Sequence, residues 1–190
     1  MNKKHWDNFY KKGKAPTKTT EFAKFCLEYI TGLSKNNRPV LFDVGCGNGR
    51  DTLYFHKTGM FNYVIGIDEA IENKTELGLY FEGKNFTEYK SFDCDYVYSR
   101  FFIHSIDTFH LMRFLEKIVY RGQILMSEFR VKGDKPKLYK DHKRNLVDSD
   151  WFLQLLISNN FEILYFEKGR GMAKYKTEDP LVIRIIAKKK

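Results

Sequence analysis

The stretch RPVLFDVGCGNGRDTLYF, which runs from Arg38 to Phe55, decides the fold. Its first part, Val40 to Val44, is a short apolar run that predicts a buried strand, and helical periodicity begins at Asp51 and continues to Lys57. A second apolar run, Tyr63 to Ile67, predicts the next strand. Strand, helix and strand in this order form a β-α-β unit, so we expect an α/β protein.

The rest of the chain continues this alternation without a linker, a repeat or a low-complexity stretch, so we predict one domain over residues 1–190. Periodicity predicts further helices over Thr20–Leu33, Ser105–Val119 and Asp148–Asn159, the last with an Asp/Ser cap. Apolar runs predict further strands over Gly78–Phe81, Asp95–Tyr98, Gln123–Glu128, Phe161–Glu167 and Leu181–Ala187. Only Lys168 to Pro180 separates the last two strands, which favours a hairpin with an antiparallel final strand.

Composition narrows the class of protein. The chain is 43% hydrophobic, which is enough for a core, and its three cysteines include no C-x-x-C pair, so we expect neither a disulfide framework nor a metal site. We find no signal peptide or membrane-spanning run, and we expect a cytoplasmic protein. The net charge of +9 suits a nucleic-acid partner, but the lysines are spread along the chain, which disfavours one.

Three interpretations compete for the segment in which Gly45, Gly47 and Gly49 alternate behind Asp43. A purely structural turn needs one or two glycines, hardly three in strict alternation. A dinucleotide-binding loop has a small residue where Arg50 stands. S-adenosylmethionine carries a sulfonium and an ammonium but no phosphate, so an acid beside the loop favours it. Asp43 would anchor the ammonium, and the glycines would let the backbone approach the ligand.

At these residues the chain resembles the class I S-adenosylmethionine-dependent methyltransferases. Their D/E-x-G-x-G-x-G loop matches Asp43, Gly45, Gly47 and Gly49, and their acid at the end of the second strand matches Asp68 in YVIGID. The resemblance implies a Rossmann-like, seven-stranded, mostly parallel sheet with an antiparallel last strand and helices on both faces. It also implies S-adenosylmethionine as cofactor, with Asp68 on the ribose hydroxyls. We assign cofactor binding to Asp43, Gly45, Gly47, Gly49, Arg50, Asp68, Asn85 and Ser99.

The partner of the adenine amino group is less well defined. In the family it is a polar residue after the third strand, for which Asn85 and Asp93 are the candidates. Asn85 fits better by position, and its side-chain oxygen accepts hydrogen bonds from an exocyclic amine. The family more often has Asp there.

The acceptor should bind at the carboxyl ends of the fourth and fifth predicted strands, in YSRFFIHS and SEFRVKG. His104 is a candidate general base, and the alternative is a structural imidazole on the following helix. Arg100 and Arg130 are candidates for a fork that binds a carboxylate or phosphate, and the alternative is a pair of ordinary ion pairs. We therefore assign catalysis to His104 and Arg100.

Outlying segments complete the predicted acceptor site. His142 and Arg144 lie in a basic loop, and Arg170 lies between the last two strands. The N-terminal Trp6 and Tyr10 keep the spacing of a stretch that folds over the cofactor in the small-molecule branch of the family, so residues 1–35 are predicted to form a lid and a leading helix. Packing of these aromatic rings in the core is the alternative.

Two missing motifs bear on the reaction. The chain has Tyr98-Ser99-Arg100-Phe101 where base N-methyltransferases carry Asn/Asp-Pro-Pro-aromatic, and it has no cysteine suited to C5-pyrimidine methylation. We therefore predict methyl transfer to O or N of a small anionic acceptor. The segments YSRFFIHSI and EDPLVIRIIAKK resemble stand-alone bacterial methyltransferases of surface-polysaccharide decoration, and this resemblance implies a phosphoramidate or sugar intermediate of the capsule as acceptor. An RNA or protein methyltransferase, or a non-catalytic partner subunit that binds the cofactor, remains the alternative.

Overall fold

The computed structural model describes residues 15–33, 38–133 and 145–190, and its centre is a mixed β-sheet. The strand order is β3-β4-β2-β1-β5-β6-β8-β7. Strands β4, β2, β1, β5 and β6 are parallel, whereas β3 with β4, and β8 with β6 and β7, pair antiparallel. In the described residues the sheet has eight strands: β1 (Val40–Val44), β2 (Tyr63–Ile67), β3 (Lys74–Glu76), β4 (Leu79–Glu82), β5 (Tyr96–Arg100), β6 (Ile124–Arg130), β7 (Phe161–Gly169) and β8 (Val182–Lys189).

Helices cover both faces of this sheet. They are α1 (Glu21–Thr31), α2 (Arg50–Lys57), α3 (Thr108–Leu115) and α4 (Ser149–Ser158), with 3₁₀ turns at Phe86–Glu88 and Ile103–Ser105. One apolar cluster joins α1 and α2 to the sheet, and a second joins α3 and α4 to the opposite face. Neighbouring residues of a strand alternate between the two clusters, as in Leu41 and Phe42, because side chains alternate across a strand.

The α/β fold, the helices on both faces and the antiparallel final hairpin are confirmed. The sheet has one strand more than predicted, because β3 forms an antiparallel edge beside β4. The helix predicted over Ser105–Val119 is shorter, since Asp107 caps it by accepting the His110 N–H at 2.8 Å. The predicted Asp148 cap is confirmed by its hydrogen bonds from the N–H groups of Asp150 and Trp151.

Membrane-spanning helices, metal-ligating groups and disulfides are absent from the described residues. No helix among those residues is long and apolar enough to cross a membrane. The same residues contain no group of three His, Cys, Asp or Glu side chains that could hold a metal ion. The three cysteines, Cys26, Cys46 and Cys94, are free thiols.

Candidate functional site

The glycine loop connects β1 to α2 at the carboxyl edge of the parallel strands. Gly45, Gly47 and Gly49 have φ angles of 77°, 59° and 74°, in the left-handed region that glycine enters without strain. A Cβ at Gly45 would lie 2.6 Å from the ring of Phe102, and one at Gly49 would lie 2.4 Å from the ring of Phe81. Two of the three glycines are therefore required by the protein's own packing, whether or not a ligand approaches them.

Asp43 is buried directly before this loop. Its Oδ2 accepts a hydrogen bond from Thr52 Oγ1 at 2.6 Å. Asp43 as a whole is 2% exposed. Burial raises the pKa of Asp43 to about 8, and the negative charges of Asp51 and Asp68 add to this effect. A cation bound beside the loop would favour the ionised form, so this carboxyl group suits an ammonium or sulfonium ligand.

Asp68 connects the end of β2 to the glycine loop. Its Oδ2 accepts the N–H of Gly47 at 3.0 Å, and its Oδ1 accepts the N–H of Ala70 at 2.9 Å. The predicted acid after the second strand therefore lies beside the predicted glycine motif. Together with Asp51 it places negative charge beside the loop, which is unfavourable for the pyrophosphate of a dinucleotide and favourable for a cation.

The segment before α1 is hydrogen-bonded to the glycine loop and the first turn of α2. Asn48 Nδ2 donates to the carbonyl of Pro16 at 3.0 Å, and Arg50 Nη1 donates to the carbonyl of Lys18 at 3.2 Å. The Arg50 side chain thus contacts the leading segment. The predicted lid residues Trp6 and Tyr10 lie outside the described residues.

A buried network that was not predicted from the sequence fixes the start of α1. The Asp51 carboxylate accepts hydrogen bonds from the Thr20 backbone N–H at 2.9 Å and from the Thr20 hydroxyl at 2.8 Å. It also accepts the Tyr98 hydroxyl at 2.8 Å. Burial raises the pKa of Tyr98, so this hydroxyl stays protonated as a donor. Thr20 is also the N-cap of α1, a role that a threonine directly before a helix indicates. Its pairing with Asp51 joins residues that are far apart in the sequence and could not be predicted in this way.

Two predicted cofactor residues have protein partners of their own. Asn85 is the N-cap of a 3₁₀ turn, where its Oδ1 accepts the Thr87 N–H at 3.0 Å and its Nδ2 donates to Glu69 Oε1 at 2.9 Å. The Ser99 hydroxyl is buried and pairs with the Ser127 hydroxyl at 2.7 Å. Their contacts with an adenosyl ligand stay predictions.

A row of charged side chains crosses three neighbouring strands at the same edge. Arg100 of β5 lies beside Glu128 of β6, which lies beside Arg184 of β8. Glu128 is 0% exposed, and its two oxygens accept hydrogen bonds from Arg100 Nε and Arg184 Nε, each at 2.8 Å. Arg100 was predicted from the sequence, whereas Glu128 and Arg184 were not, because cross-strand register brings them together.

Phe101 follows this row in a left-handed turn, and two arginines contact its ring. Its φ angle is 57°, which is unusual for an aromatic residue. The guanidinium carbons of Arg100 and Arg130 lie 4.3 Å and 5.4 Å from the centre of its ring. Arg130 also donates from Nη2 to Glu178 at 2.6 Å. The two arginines of the predicted acceptor fork therefore contact one ring.

His104 is 4% exposed and lies beside the same turn. Its Nδ1 accepts the backbone N–H of Arg130 at 3.3 Å, and its carbonyl accepts the N–H of Asn145 at 2.9 Å. A neutral imidazole has one lone-pair nitrogen, and here that nitrogen is Nδ1, so the proton is on Nε2. This contact is the kind that the structural alternative requires, and the role of His104 as a general base stays a prediction.

The connection between β7 and β8 borders the charged row. Met172 accepts a hydrogen bond from Arg184 Nη2 at 3.0 Å through its carbonyl, and Glu178 binds Arg130. Arg170 in this connection donates from Nη1 to the Asp179 carbonyl at 2.6 Å. The other predicted acceptor residues, His142 and Arg144, lie outside the described residues.

The residues at the loop fit an adenosyl cofactor of cationic character. The loop has three left-handed positions, and a buried carboxyl with a raised pKa directly precedes it. Asp68 follows the end of β2, and its carboxylate accepts the N–H groups of Gly47 and Ala70 beside the loop. This donor set suits S-adenosylmethionine better than a phosphate ligand.

Comparison with known proteins identifies solved structures with a similar fold. No protein-family model and no curated protein sequence matches the chain. Among solved structures, it is similar to the Burkholderia thailandensis 1,6-didemethyltoxoflavin-N1-methyltransferase with bound 1,6-didemethyltoxoflavin and S-adenosylhomocysteine, with a TM-score of 0.77 and 15% identity, covering 98% of this chain and 86% of that one.

Two further solved structures have a similar fold. A Methanosarcina mazei S-adenosylmethionine-dependent methyltransferase matches with a TM-score of 0.67 and 19% identity over 84% of this chain and 96% of that one. The Synechocystis magnesium protoporphyrin IX methyltransferase with bound S-adenosylhomocysteine matches with a TM-score of 0.63 and 12% identity over 88% and 82%. This chain therefore has the fold of the class I S-adenosylmethionine-dependent methyltransferases.

Proposed function

We propose that the protein is an enzyme that binds S-adenosylmethionine at the glycine loop and transfers its methyl group to O or N of a small anionic acceptor. The observation that carries this proposal is the hydrogen bond from Gly47 to Asp68, next to buried Asp43. It joins the two halves of the motif that the sequence suggested. The small-molecule methyltransferases among the structural neighbours support the same class of reaction.

The residues at the loop would divide the work of binding. Asp43 would hold the ammonium of the cofactor, and Asp68 would accept the ribose hydroxyls while it keeps Gly47 in place. Residues 15–20 lie against the loop and would exclude water on that side. The bound cofactor would supply an activated methyl group on a sulfonium centre.

The chain would contribute to the rate mainly by alignment. Holding acceptor and methyl donor in line replaces a bimolecular encounter and contributes about 7 to 11 kcal/mol in favourable cases. An acceptor that is already anionic needs no base, and this agrees with the His104 lone pair being engaged by Arg130. Arg100 and Arg130 would orient such an acceptor.

For the acceptor itself, we propose a phosphoramidate or sugar intermediate of capsular polysaccharide decoration. The support is the resemblance of YSRFFIHSI and EDPLVIRIIAKK to bacterial enzymes of that process, together with the arginines at the strand ends. A phosphoramidate oxygen suits the engaged His104, whereas a sugar hydroxyl would require this imidazole to rotate and act as a base.

The experiment that tests the proposal is calorimetric titration with S-adenosylmethionine, S-adenosylhomocysteine and NAD. Binding of both adenosyl ligands without NAD would support it, and NAD binding alone would reject it. Mass spectrometry of acceptor panels with the methyl donor would then identify the acceptor. A panel of phosphorylated, phosphoramidate and neutral sugars separates the acceptor classes.

A further inference from the structure

The buried carboxylate of Glu128 orients two arginines at once. Arg100 and Arg184 both donate through Nε, so each Glu128 oxygen fixes the plane of one guanidinium group. Arg184 is further held by the Met172 carbonyl and contacts the rings of Phe22 and Phe25 in α1. Arg184 is thereby committed to the protein's own packing.

Arg100 differs from Arg184 in what its outer nitrogens contact. Its side chain is 15% exposed, and within the described residues only Nε has a hydrogen-bond partner. Its guanidinium carbon lies over the Phe101 ring, which keeps the group next to the turn. The two terminal nitrogens of Arg100 are therefore oriented donors with no protein partner among the described residues.

Arg130 supplies a second unsatisfied donor at the same ring. Its residue is 8% exposed, and its Nε is buried without a hydrogen-bond partner among the described residues. Leaving a buried donor of a charged group unpaired costs free energy, because the donor loses its hydrogen bond to water and gains none in the protein. A ligand oxygen at this atom would remove that cost.

The charges of the cluster favour an anion. Among the described residues, three arginines, Arg100, Arg130 and Arg184, pair with two carboxylates, those of Glu128 and Glu178, which leaves one positive charge in excess. The turn that carries Phe101 abuts the glycine loop, since Phe102 packs against Gly45. An anion bound here would therefore lie beside the cofactor site.

We propose that Arg130 Nε and the terminal nitrogens of Arg100 bind an oxyanion group of the acceptor, a phosphate-type or carboxylate group, and that Glu128 is the positioning residue of this site. The proposal rests on the proposed function in that the bound anion is the methyl acceptor. Arg184 holds Glu128 in place and does not touch the ligand.

The test is a titration of the full chain, saturated with S-adenosylhomocysteine, with inorganic phosphate and separately with acetate. The readout is the nuclear magnetic resonance signal of the arginine Nε–H groups. We expect phosphate or acetate to shift the Arg130 signal, and glycerol to leave it unchanged. Tighter binding of phosphate would assign a phosphate-type acceptor, and tighter binding of acetate would assign a carboxylate.

Variants decide whether the signal comes from this site. R130K and R100K keep the charge but lose the fork, and each should weaken anion binding about tenfold or more, as measured from the Nε–H signal of the arginine that remains. The matched control is R121K at an exposed arginine, which should bind like the native protein. If R130K fails to fold, R100K gives the answer. An affinity that neither R130K nor R100K changes would overturn the proposal and indicate binding to the basic surface.

Glu128 is tested by E128Q, which keeps the shape and removes the charge. We expect weaker anion binding with unchanged affinity for S-adenosylhomocysteine, and unchanged anion binding would reject the positioning role. The titration is repeated without S-adenosylhomocysteine. If anion binding depends on Arg130 but the protein binds no adenosyl ligand, the anion site is upheld and the proposed function is rejected. If the protein binds S-adenosylhomocysteine but anion binding does not depend on Arg130, the anion site alone is rejected.

Discussion

Asp68 Oδ2 accepts the backbone N–H of Gly47 at 3.0 Å, so the acid at the end of β2 holds the middle of the glycine loop. We expect Asp68→Ala to weaken S-adenosylhomocysteine binding by about 10- to 100-fold, because a charge-assisted hydrogen bond contributes about 1.5 to 3 kcal/mol. Calorimetry measures this change.

Two control variants distinguish an effect on cofactor binding from an effect on the acceptor. Asp150→Ala removes a carboxylate from α4 on the other face of the sheet and should leave the affinity unchanged. Arg100→Ala should also leave it unchanged while it lowers turnover. Native affinity in the Asp68 variant would remove this residue from the cofactor site.

Two glycines with nearly the same backbone test what the glycine loop requires. Gly49 has a φ of +74° and a Cβ there would meet Phe81 at 2.4 Å, whereas Gly59 has a φ of +69° and a Cβ there would meet nothing within 4 Å. Gly59→Ala should lower the free energy of unfolding by about 1 to 2 kcal/mol through backbone strain alone. Gly49→Ala should lower it by about 1 to 3 kcal/mol more through overpacking. Chemical denaturation measures both, and equal losses would contradict the packing argument.

The pKa of Asp43 predicts a pH dependence of cofactor binding. Because this pKa is raised to about 8, the group is protonated near pH 6 and must ionise to pair with an ammonium. Affinity for S-adenosylhomocysteine should therefore rise about tenfold per pH unit between about pH 5.5 and 7. Asp43→Asn should flatten this rise, and a flat profile in the native protein would exclude the ammonium contact.

The carboxyl group of Asp43 has the opposite effect on the free energy of unfolding, which should fall as the pH rises. The folded protein keeps the Asp43 proton up to about pH 8, whereas the unfolded chain loses it near the ordinary value of 3.8. The contribution of this group to the free energy of unfolding is therefore full below about pH 4 and declines as the pH rises to about 8. Asp43→Asn should reduce that decline, as denaturation at several pH values would reveal.

His104 can be tested as a base and as a structural residue with two substitutions. His104→Asn keeps an oxygen that can accept the Arg130 N–H, so stability and turnover should stay close to native. His104→Ala leaves that N–H unpaired and should cost about 1 to 3 kcal/mol. If His104 is the general base, His104→Asn should instead lower turnover about 10²- to 10⁴-fold, and that result would support the catalytic assignment.

The sequence allowed prediction of the parallel centre of the sheet and of the motif residues, because continuous apolar runs mark buried strands. It did not indicate β3, since Lys74, Thr75 and Glu76 are all exposed and lack hydrophobic alternation. Their strand follows from pairing with β4 across the turn at Gly78, where φ is +74°.

The acceptor side was less predictable for a similar reason. Arg100 and Arg130 were singled out as polar residues at strand ends, but their setting depends on Glu128 and Arg184, which lie on separate strands. Arg184 interrupts the apolar run of the last strand, and that interruption was the available signal. Register between distant strands is set by the folded sheet, and the sequence of one strand does not contain it.

The hydrogen bonds from Asn48 and Arg50 to the carbonyls of Pro16 and Lys18 make the leading segment and the glycine loop one thermodynamic unit. A ligand that orders the loop must, by reciprocity, make release of this segment less favourable. S-adenosylhomocysteine should therefore slow proteolytic cleavage within residues 15–20. Conversely, any change that loosens Thr20 from Asp51 should speed ligand exchange at a pocket that it does not touch.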